Sequence, residues 1–459
     1  VLWMTCMVNS ENRDTAIRDA LAWFNEARDK GYLVGGGQQI GWWKGRGGFV
    51  DYTNPDAMRW WRGMQQQVFD WGIDGWKLDG CATLMRGSIG FVPVLYHQAH
   101  SGIITTRQYM SRYYRSEYRH GLTQNPEFIC LSRSIDRPYT HPEGFAPIDA
   151  AAVTWVGDNC HTWAEEEEGI CEALTDILHA ARLGYCVIGS DVGGYHGGSH
   201  IPANLYIRWA QFSTFCGLFL NGGHGERAMW KRTQQELEVI RRFSWLHTEL
   251  VPYMYSHVVA CHKGGPPLMR PLDEGPYHYL FGDDFLVAPI YQDSLTHTVH
   301  LPKGRWRYLF GDAEIIDGPA RITREFSLEE FPAYIREGAV VPLNVCRDYT
   351  GYGDRDSEGF VTWLVYPEGE SAFTLHNPDG SGATTVTASK GDGIAIDFEG
   401  VQKPHILRVF LGAKPTEVTL DGKALAEGEA WRYDGGDKRL IITTRKYDGG
   451  AYHITVKEH

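Results

Sequence analysis

Through the first 265 or so residues, short apolar runs alternate with longer amphipathic stretches. "VLWMTCMV", "GIDGWKLD", "EFICLSR", "AAVTWVGD", "YCVIGSDVGG" and "FSTFCGLFL" read as strands, and helical patterns fill the gaps between them, as in parallel βα units. In "TNPDAMRWWRGMQQQVFDWG", Asn54 is an N-cap candidate and Pro55 occupies the first helical position. Met58, Trp61, Gln65, Val68 and Phe69 form the predicted inward stripe, and Gly72 stops the helix. The stretch "TQQELEVIRRFSWLHTELVPYMYSHVVACH" predicts a second long helix, interrupted at Pro252.

After about residue 266 the texture changes to short alternating segments separated by Gly, Pro and Asp, such as "YLFGDDFLVAPIY" and "FPAYIREGAVVPL". They predict two successive β-sandwich domains, over 266–346 and 347–459. Six strands precede them, whereas a closed parallel barrel needs eight. Because strand number, tilt and stagger are linked, six strands leave either an open sheet or a (β/α)8 TIM barrel without its first two strands. The chain opens abruptly on a strand at Val1, which favours the second choice: an α/β barrel over 1–265, entered at its third strand.

The strand ends carry the candidate chemistry. In a βα barrel, the loops after the strands build the site. Lys77 and Asp79 lie on one side of the second run, Arg133 ends the third, Asp158 the fourth and Asp191 the fifth, and His224 follows the sixth. A lone Asp after a strand is usually a cap or turn former. Five successive strands delivering polar groups to one end of a sheet are not explained by caps. Paired carboxylates there suit glycoside hydrolysis, in which one attacks the anomeric carbon and the other protonates the leaving oxygen. The two must differ in protonation. The sequence offers Lys77 and Arg133 as cationic partners for Asp79, and Trp155 and Trp163 as apolar neighbours of Asp158. Asp74 is read as structural, at the strand's entry.

Composition narrows the field. The net charge of −13 over 459 residues argues against a nucleic-acid or anionic-membrane partner. No apolar run approaches the roughly 18 residues of a membrane span. Nine scattered cysteines, without a Cys-x-x-Cys pair, fit neither a disulfide framework nor a zinc site. The acidic run Glu165 to Glu168 reads as a solvated helix start. Sixteen tryptophans supply flat faces on which sugars stack, though large cores hold tryptophan too.

At this point the sequence resembles glycoside hydrolase family 31, the retaining exo-α-glycosidases that include α-glucosidases, α-xylosidases and some α-galactosidases. The matching stretches are "DYTNPDAMRWW", "GIDGWKLD", "CLSRS", "WVGDN", "GSDVGGY", "YIRWAQF", "PLMRPL", "FGDDFLVAPI", "LPKGRWRYLF" and "FPAYIREGAVVPL", in the family's order. The resemblance implies Asp79 as catalytic nucleophile and Asp158 as general acid/base. It implies Trp76, Lys77, Arg133, Trp155, Asp191 and His224 as residues binding the terminal sugar. It also implies that an N-terminal β-sandwich and the first two barrel strands are absent from this chain. Two departures touch the pocket: "DGCATL" lacks the glutamate many members carry after the nucleophile, and "NGGHGER" replaces the family's Arg-Asn-His, leaving Arg227 as a stand-in for the arginine.

Other motifs carry less. "VGGGQQIGWWKGRGGF" lacks the Gly-Lys-Ser/Thr ending of a phosphate loop and reads as a loop above the barrel, with Trp42 and Trp43 available to a sugar or to the absent domain. His196 and His200 stand four apart in a Gly-rich loop without an accompanying Glu, and no metal is expected there. No Gly-x-Ser-x-Gly elbow appears. The expected protein is therefore a retaining exo-acting α-glycoside hydrolase needing no cofactor or metal, with a carbohydrate substrate, no nucleic-acid or membrane partner, and room for a homo-oligomer. The rivals are an α-transglycosylase and a non-catalytic carbohydrate-binding relic.

Overall fold

The computed structural model describes residues 1–13, 18–81, 88–89, 92–93, 96–135, 144–164, 168–311, 314–444 and 450–455. The acidic positions 165–167, and 82–87 after the Asp79 strand, lie outside them. The chain forms two compact units, Val1–Val156 and Gly157–His459.

Within the first unit, four strands run parallel in the order Leu2–Thr5, Gly75–Asp79, Ile129–Arg133 and Val153–Trp155. Trp3 pairs with Lys77 and Thr5 with Asp79, Leu131 also pairs with Lys77, and Arg133 pairs with Trp155. Side chains alternate along a strand, so this register sets Trp3, Lys77, Asp79, Arg133 and Trp155 on one face. The run "VLWMTCMV", expected as one strand, is divided at Cys6. Met7–Asn12 leaves the parallel sheet and pairs antiparallel with Gly45–Phe49, which in turn pairs with Ile40–Trp42. Half of the glycine-rich stretch is thus sheet. A Cβ at Gly47 would stand 2.4 Å from the Val8 carbonyl oxygen, so the close strand approach requires glycine there.

Asn54 caps the helix Pro55–Asp70, its side chain accepting from the Asp56 and Ala57 amides. The buried stripe is Ala57, Trp61, Gln65 and Phe69; Met58 and Val68 are only half-buried. A polar Gln65 is tolerated there because it donates to the Glu117 carboxylate at 3.0 Å, which also accepts from the Trp61 indole at 3.2 Å and pairs with Arg62. A buried carboxylate with this many donors is satisfied rather than stranded.

The second unit opens with the loop after the fourth strand and contains the strand Ile188–Gly189 and the helices Ile170–Arg182, Ala203–Ser213, Gln234–Glu249 and Val251–His262. The expected strand "FSTFCGLFL" is mostly not one. The Ala203–Ser213 helix runs into it, and only Leu220 makes a parallel bridge, to Asp191. Pro252 separates the last two helices as predicted. The first of these starts with a reciprocal capping box between Thr233 and Glu236. Beyond them the chain is β. Met269–Arg336 forms a six-stranded sheet, and two further sheets, of five and six strands, share one core through Trp363, Val386, Ile396 and Leu407. No helix among the described residues is long and apolar enough to cross a membrane.

Glu249, at the end of its helix, is fully buried. One oxygen accepts from the Thr350 hydroxyl at 2.6 Å, while Oε1 has no hydrogen-bond partner among the described residues. Burial pushes its carboxyl up to about 7, above the ordinary 4.5. Between those values the folded chain holds a proton that the unfolded chain has released, so stability falls as pH rises from about 4.5 to about 7. Glu249→Gln keeps the Thr350 contact and is expected to flatten that slope, raising stability at pH 8 by up to about 3 kcal/mol in urea titrations. A slope unchanged by the substitution would exclude Glu249 as its source.

Candidate active site

In the first unit, the carboxylate of Asp79 sits at the C-terminal end of its strand, with its side chain 15% exposed. Each oxygen has its own donor: the Arg133 guanidinium Nε reaches Oδ1 at 3.4 Å, and the Trp3 indole N–H reaches Oδ2 at 3.2 Å. Lys77 and Arg133 both lie over the Trp155 ring, at 4.4 and 5.0 Å from its centroid. Trp155 is fully buried, so the ring serves as a floor for both cations. The Tyr113 hydroxyl bridges the strand ends, its one proton shared between the carbonyls of Met4 and Asp79, both at 3.3 Å. The carboxyl group is therefore held by one cation and one neutral donor, with a second cation nearby.

Trp76 does not join it. Strand alternation turns its ring to the other face, where it packs edge-on against Phe69 and Phe128 at 5.4 and 6.2 Å. The sugar-binding role expected of Trp76 gives way to core packing. Asp74 is exposed at the strand's entry, and its carbonyl accepts from the Ile129 amide, which starts the next strand pairing.

Trp42 is buried against Trp3, the rings 6.2 Å apart and 19° from parallel, while Trp43 is exposed. A cavity of about 360 Å³ opens beside Trp3, lined by Met7, Val8, Trp23, Trp42 and Trp61. Its lining is mainly apolar, which suits a covered hydrophobic face better than a sugar ringed with hydroxyls.

In the second unit, Asp158 lies in the loop after its strand. That loop is stitched to the Gly194–His196 segment: the Tyr195 and His196 amides donate to the Asn159 carbonyl, and the His161 amide donates to the His196 carbonyl. The stitching places the His196 Nε2 3.8 Å from Asp158 Oδ2. His224 stands beside them, its ring 5.4 Å from His196 and 5.3 Å from Tyr195. Asp191 is almost fully buried, and a Cβ on Gly222 would stand 3.0 Å from its Oδ1. His200 turns away from His196 to Arg232, at 3.5 Å.

Gly194 makes the stitch possible. It has φ of +84°, and a Cβ there would lie 2.7 Å from the Cys160 carbonyl. Gly194→Ala is expected to cost about 1–3 kcal/mol, visible as a lower midpoint in thermal denaturation. An unchanged midpoint would show that the loop has another way to close.

Arg227 answers the question raised by the lost Arg-Asn-His. Its Nε donates to the His224 carbonyl, Nη1 to the Val192 carbonyl and Asn221, and Nη2 to the Gly194 carbonyl, with His161 Nε2 at 3.5 Å. A guanidinium has five N–H donors. With these directed into the loop, Arg227 pins Asp191–Gly194 to His224 and does not present itself to a sugar. Burial, with Arg227 second, holds the His161 imidazole below the usual histidine range.

Two residues here were not singled out from sequence for this chemistry. Trp3 lies 76 positions from the carboxylate it touches, beyond any local signal. His196 had a signal, its place directly after "GSDVGGY", but only the loop pairing shows that it faces Asp158.

Comparison with known proteins identifies the family. Residues 1–257 match the model of the glycosyl hydrolases family 31 TIM-barrel domain, and residues 267–341 that of the family 31 C-terminal domain. An isomaltosyltransferase of Sporosarcina globispora is 25% identical over 90% of this chain and 40% of its own length. Alpha-glucosidase 2 of Bacillus thermoamyloliquefaciens is 25% identical over 83% of this chain and 51% of its own. An alpha-xylosidase of Emericella nidulans is 28% identical over 70% and 42%. The chain thus spans about half the length, or less, of these relatives. Among solved structures, a cycloalternan-forming enzyme from Listeria monocytogenes shares the fold with a TM-score of 0.83 at 21% identity, covering 99% of this chain and 45% of its own. With the barrel-domain model covering more than half of its residues, the chain belongs to glycosyl hydrolase family 31 and carries that family's TIM-barrel and C-terminal domains.

Proposed function

We propose that this chain carries the catalytic machinery of a retaining exo-α-glycosidase, releasing a terminal α-linked sugar of the glucose, xylose or galactose type from oligo- or polysaccharides. The observation that carries this reading is the Asp79 carboxylate at a strand end, one donor on each oxygen, beside Lys77 and Trp155. Such a group faces a cation, is fixed in rotation and stands at a strand end, as an attacking carboxylate must.

In the first step Asp79 attacks the anomeric carbon while Asp158 gives a proton to the departing oxygen. In the second, Asp158 takes a proton from water, whose oxygen displaces Asp79 with the α configuration retained. In this reading Lys77 and Arg133, backed by Trp155, bind the sugar, as do Asp191 and His224. None of these steps calls for a metal or cofactor. A retaining pair works with its carboxyl groups about 5–5.5 Å apart, against about 6.5–9.5 Å for an inverting pair. A crystal structure with a bound sugar reads that spacing directly, and the inverting range would overturn the mechanism.

The direct test is nitrophenol release from p-nitrophenyl α-glucoside, α-xyloside and α-galactoside, with Asp79→Asn as the blank. Release abolished in the blank supports the reading, and silence across the panel overturns it. Sugar transfer is the second reading, favoured by one relative being named a transferase. It predicts longer oligosaccharides instead of free sugar when a maltooligosaccharide or isomaltooligosaccharide is supplied.

A further inference from the structure

The Trp3 indole belongs to no part of the mechanism above, yet its N–H ends on the carboxylate that the mechanism uses. Trp3 and Lys77 are register partners on adjacent parallel strands, and Asp79 follows Lys77 by two, so the indole lies along the face where the carboxylate stands. The ring is held from two other directions. Trp42 stacks on it, and the Lys44 ammonium lies 5.9 Å from its centroid. Trp42 is fixed in turn by donating to Asn9 at 2.8 Å, and Asn9 donates to the Lys44 carbonyl at 3.1 Å. The hairpin that leaves the parallel sheet at Cys6 therefore braces one donor against Asp79 Oδ2.

We infer that Trp3 is a positioning residue whose N–H favours Asp79 as free carboxylate over Asp79 as glycosyl ester. The inference rests on reading Asp79 as the nucleophile. A hydrogen bond to an ionised acceptor is stronger than one to a neutral acceptor. In the covalent intermediate, one Asp79 oxygen is an ester oxygen and the other a carbonyl, and neither accepts as strongly as the carboxylate did. In the second step the water oxygen bonds to the anomeric carbon and the C–O bond to Asp79 breaks. The electron pair returns to the carboxylate, and the water proton goes to Asp158. Charge thus reappears on Asp79 as that bond breaks, and the Trp3 donor meets it. In the first step the carboxylate is charged at the start and remains largely charged in an oxocarbenium-like transition state, so the donor contributes nearly equally to both. Its effect falls on the second step.

The test uses the 5-fluoro-α-glycosyl fluoride of the sugar that the wild type hydrolyses in the p-nitrophenyl panel. Such a probe traps the intermediate, and the two steps are read separately as a trapping rate and a reactivation rate. For Trp3→Phe, reactivation is expected to slow about tenfold while trapping stays within about threefold of wild type. Replacing Trp3 with benzothienylalanine keeps the ring and its stacking on Trp42 but removes the N–H, and should reproduce the effect even if Trp3→Phe fails to fold. A purely structural role would lower both rates by one factor along with thermal stability, and either that result or two unchanged rates would overturn the inference. Peptide mass spectrometry of the trapped wild type checks the underlying reading independently. A label on a residue other than Asp79 overturns the nucleophile assignment, whatever Trp3 does.

Discussion

Asp79→Asn should leave a folded protein that has lost turnover on every p-nitrophenyl α-glycoside by about 10⁴-fold or more in kcat. The amide keeps the shape of the carboxyl group; its single oxygen can still accept from one of Trp3 and Arg133, while its NH2 faces the other donor, so a thermal melt should accompany the kinetics. What disappears is the negative charge and the attacking lone pair. Asp79→Gly sharpens the result, because it leaves space where the carboxylate stood. Azide entering that space should attack the anomeric carbon from the same side and yield a β-glycosyl azide from an α-glycoside. An α-glycosyl azide, or substantial activity in Asp79→Asn, would remove Asp79 from the nucleophile role.

Asp158→Ala should act differently, and the difference identifies the acid/base. General acid assistance is worth about 10²–10⁴-fold, and most where the leaving group is poor. The variant should therefore lose close to that full factor on an oligosaccharide and much less in the first step on a p-nitrophenyl glycoside, whose leaving group departs without a proton. Water then lacks its base, so the intermediate should persist. Azide, which needs no deprotonation, should restore turnover and give an α-glycosyl azide, opposite in configuration to the Asp79→Gly product. His196, 3.8 Å from the Asp158 carboxylate, loses its partner in this variant, so a thermal melt should accompany the kinetics. Equal losses on good and poor leaving groups would remove Asp158 from the acid/base role.

The helix signals were local and proved readable. Asn54 and Pro55 start their helix, Thr233 and Glu236 form a reciprocal box, and Pro252 ends one helix and opens the next. Each depends on neighbours within four residues, a range that sequence displays directly. The stripe of the Pro55–Asp70 helix was less legible at its edges: Met58 and Val68 are half-buried, and Ala57 takes an inward place. How wide a helix's buried face becomes depends on what packs against it. The "FSTFCGLFL" reading failed for a related reason, since apolar residues at the end of a buried helix look like those of a buried strand.

The sequence by itself determined that strands and helices alternate before residue 266 and that strands follow, that Lys77 and Asp79 share a face, and that acidic and basic groups gather after successive strands. Those properties follow from the two-residue period of a strand and from side-chain chemistry, both carried by near neighbours. Only the tertiary structure decided which groups hold the Asp79 carboxylate: Trp3 from 76 positions earlier and Arg133 from 54 later. It also decided that Trp76 faces the core, that Arg227 directs its donors to Val192 and Gly194 as well as to its own loop, and that His196 meets Asp158. Each of these depends on the register between strands or on the pairing of distant loops. Register is set by the packing of the whole sheet, and no stretch of neighbouring residues records it.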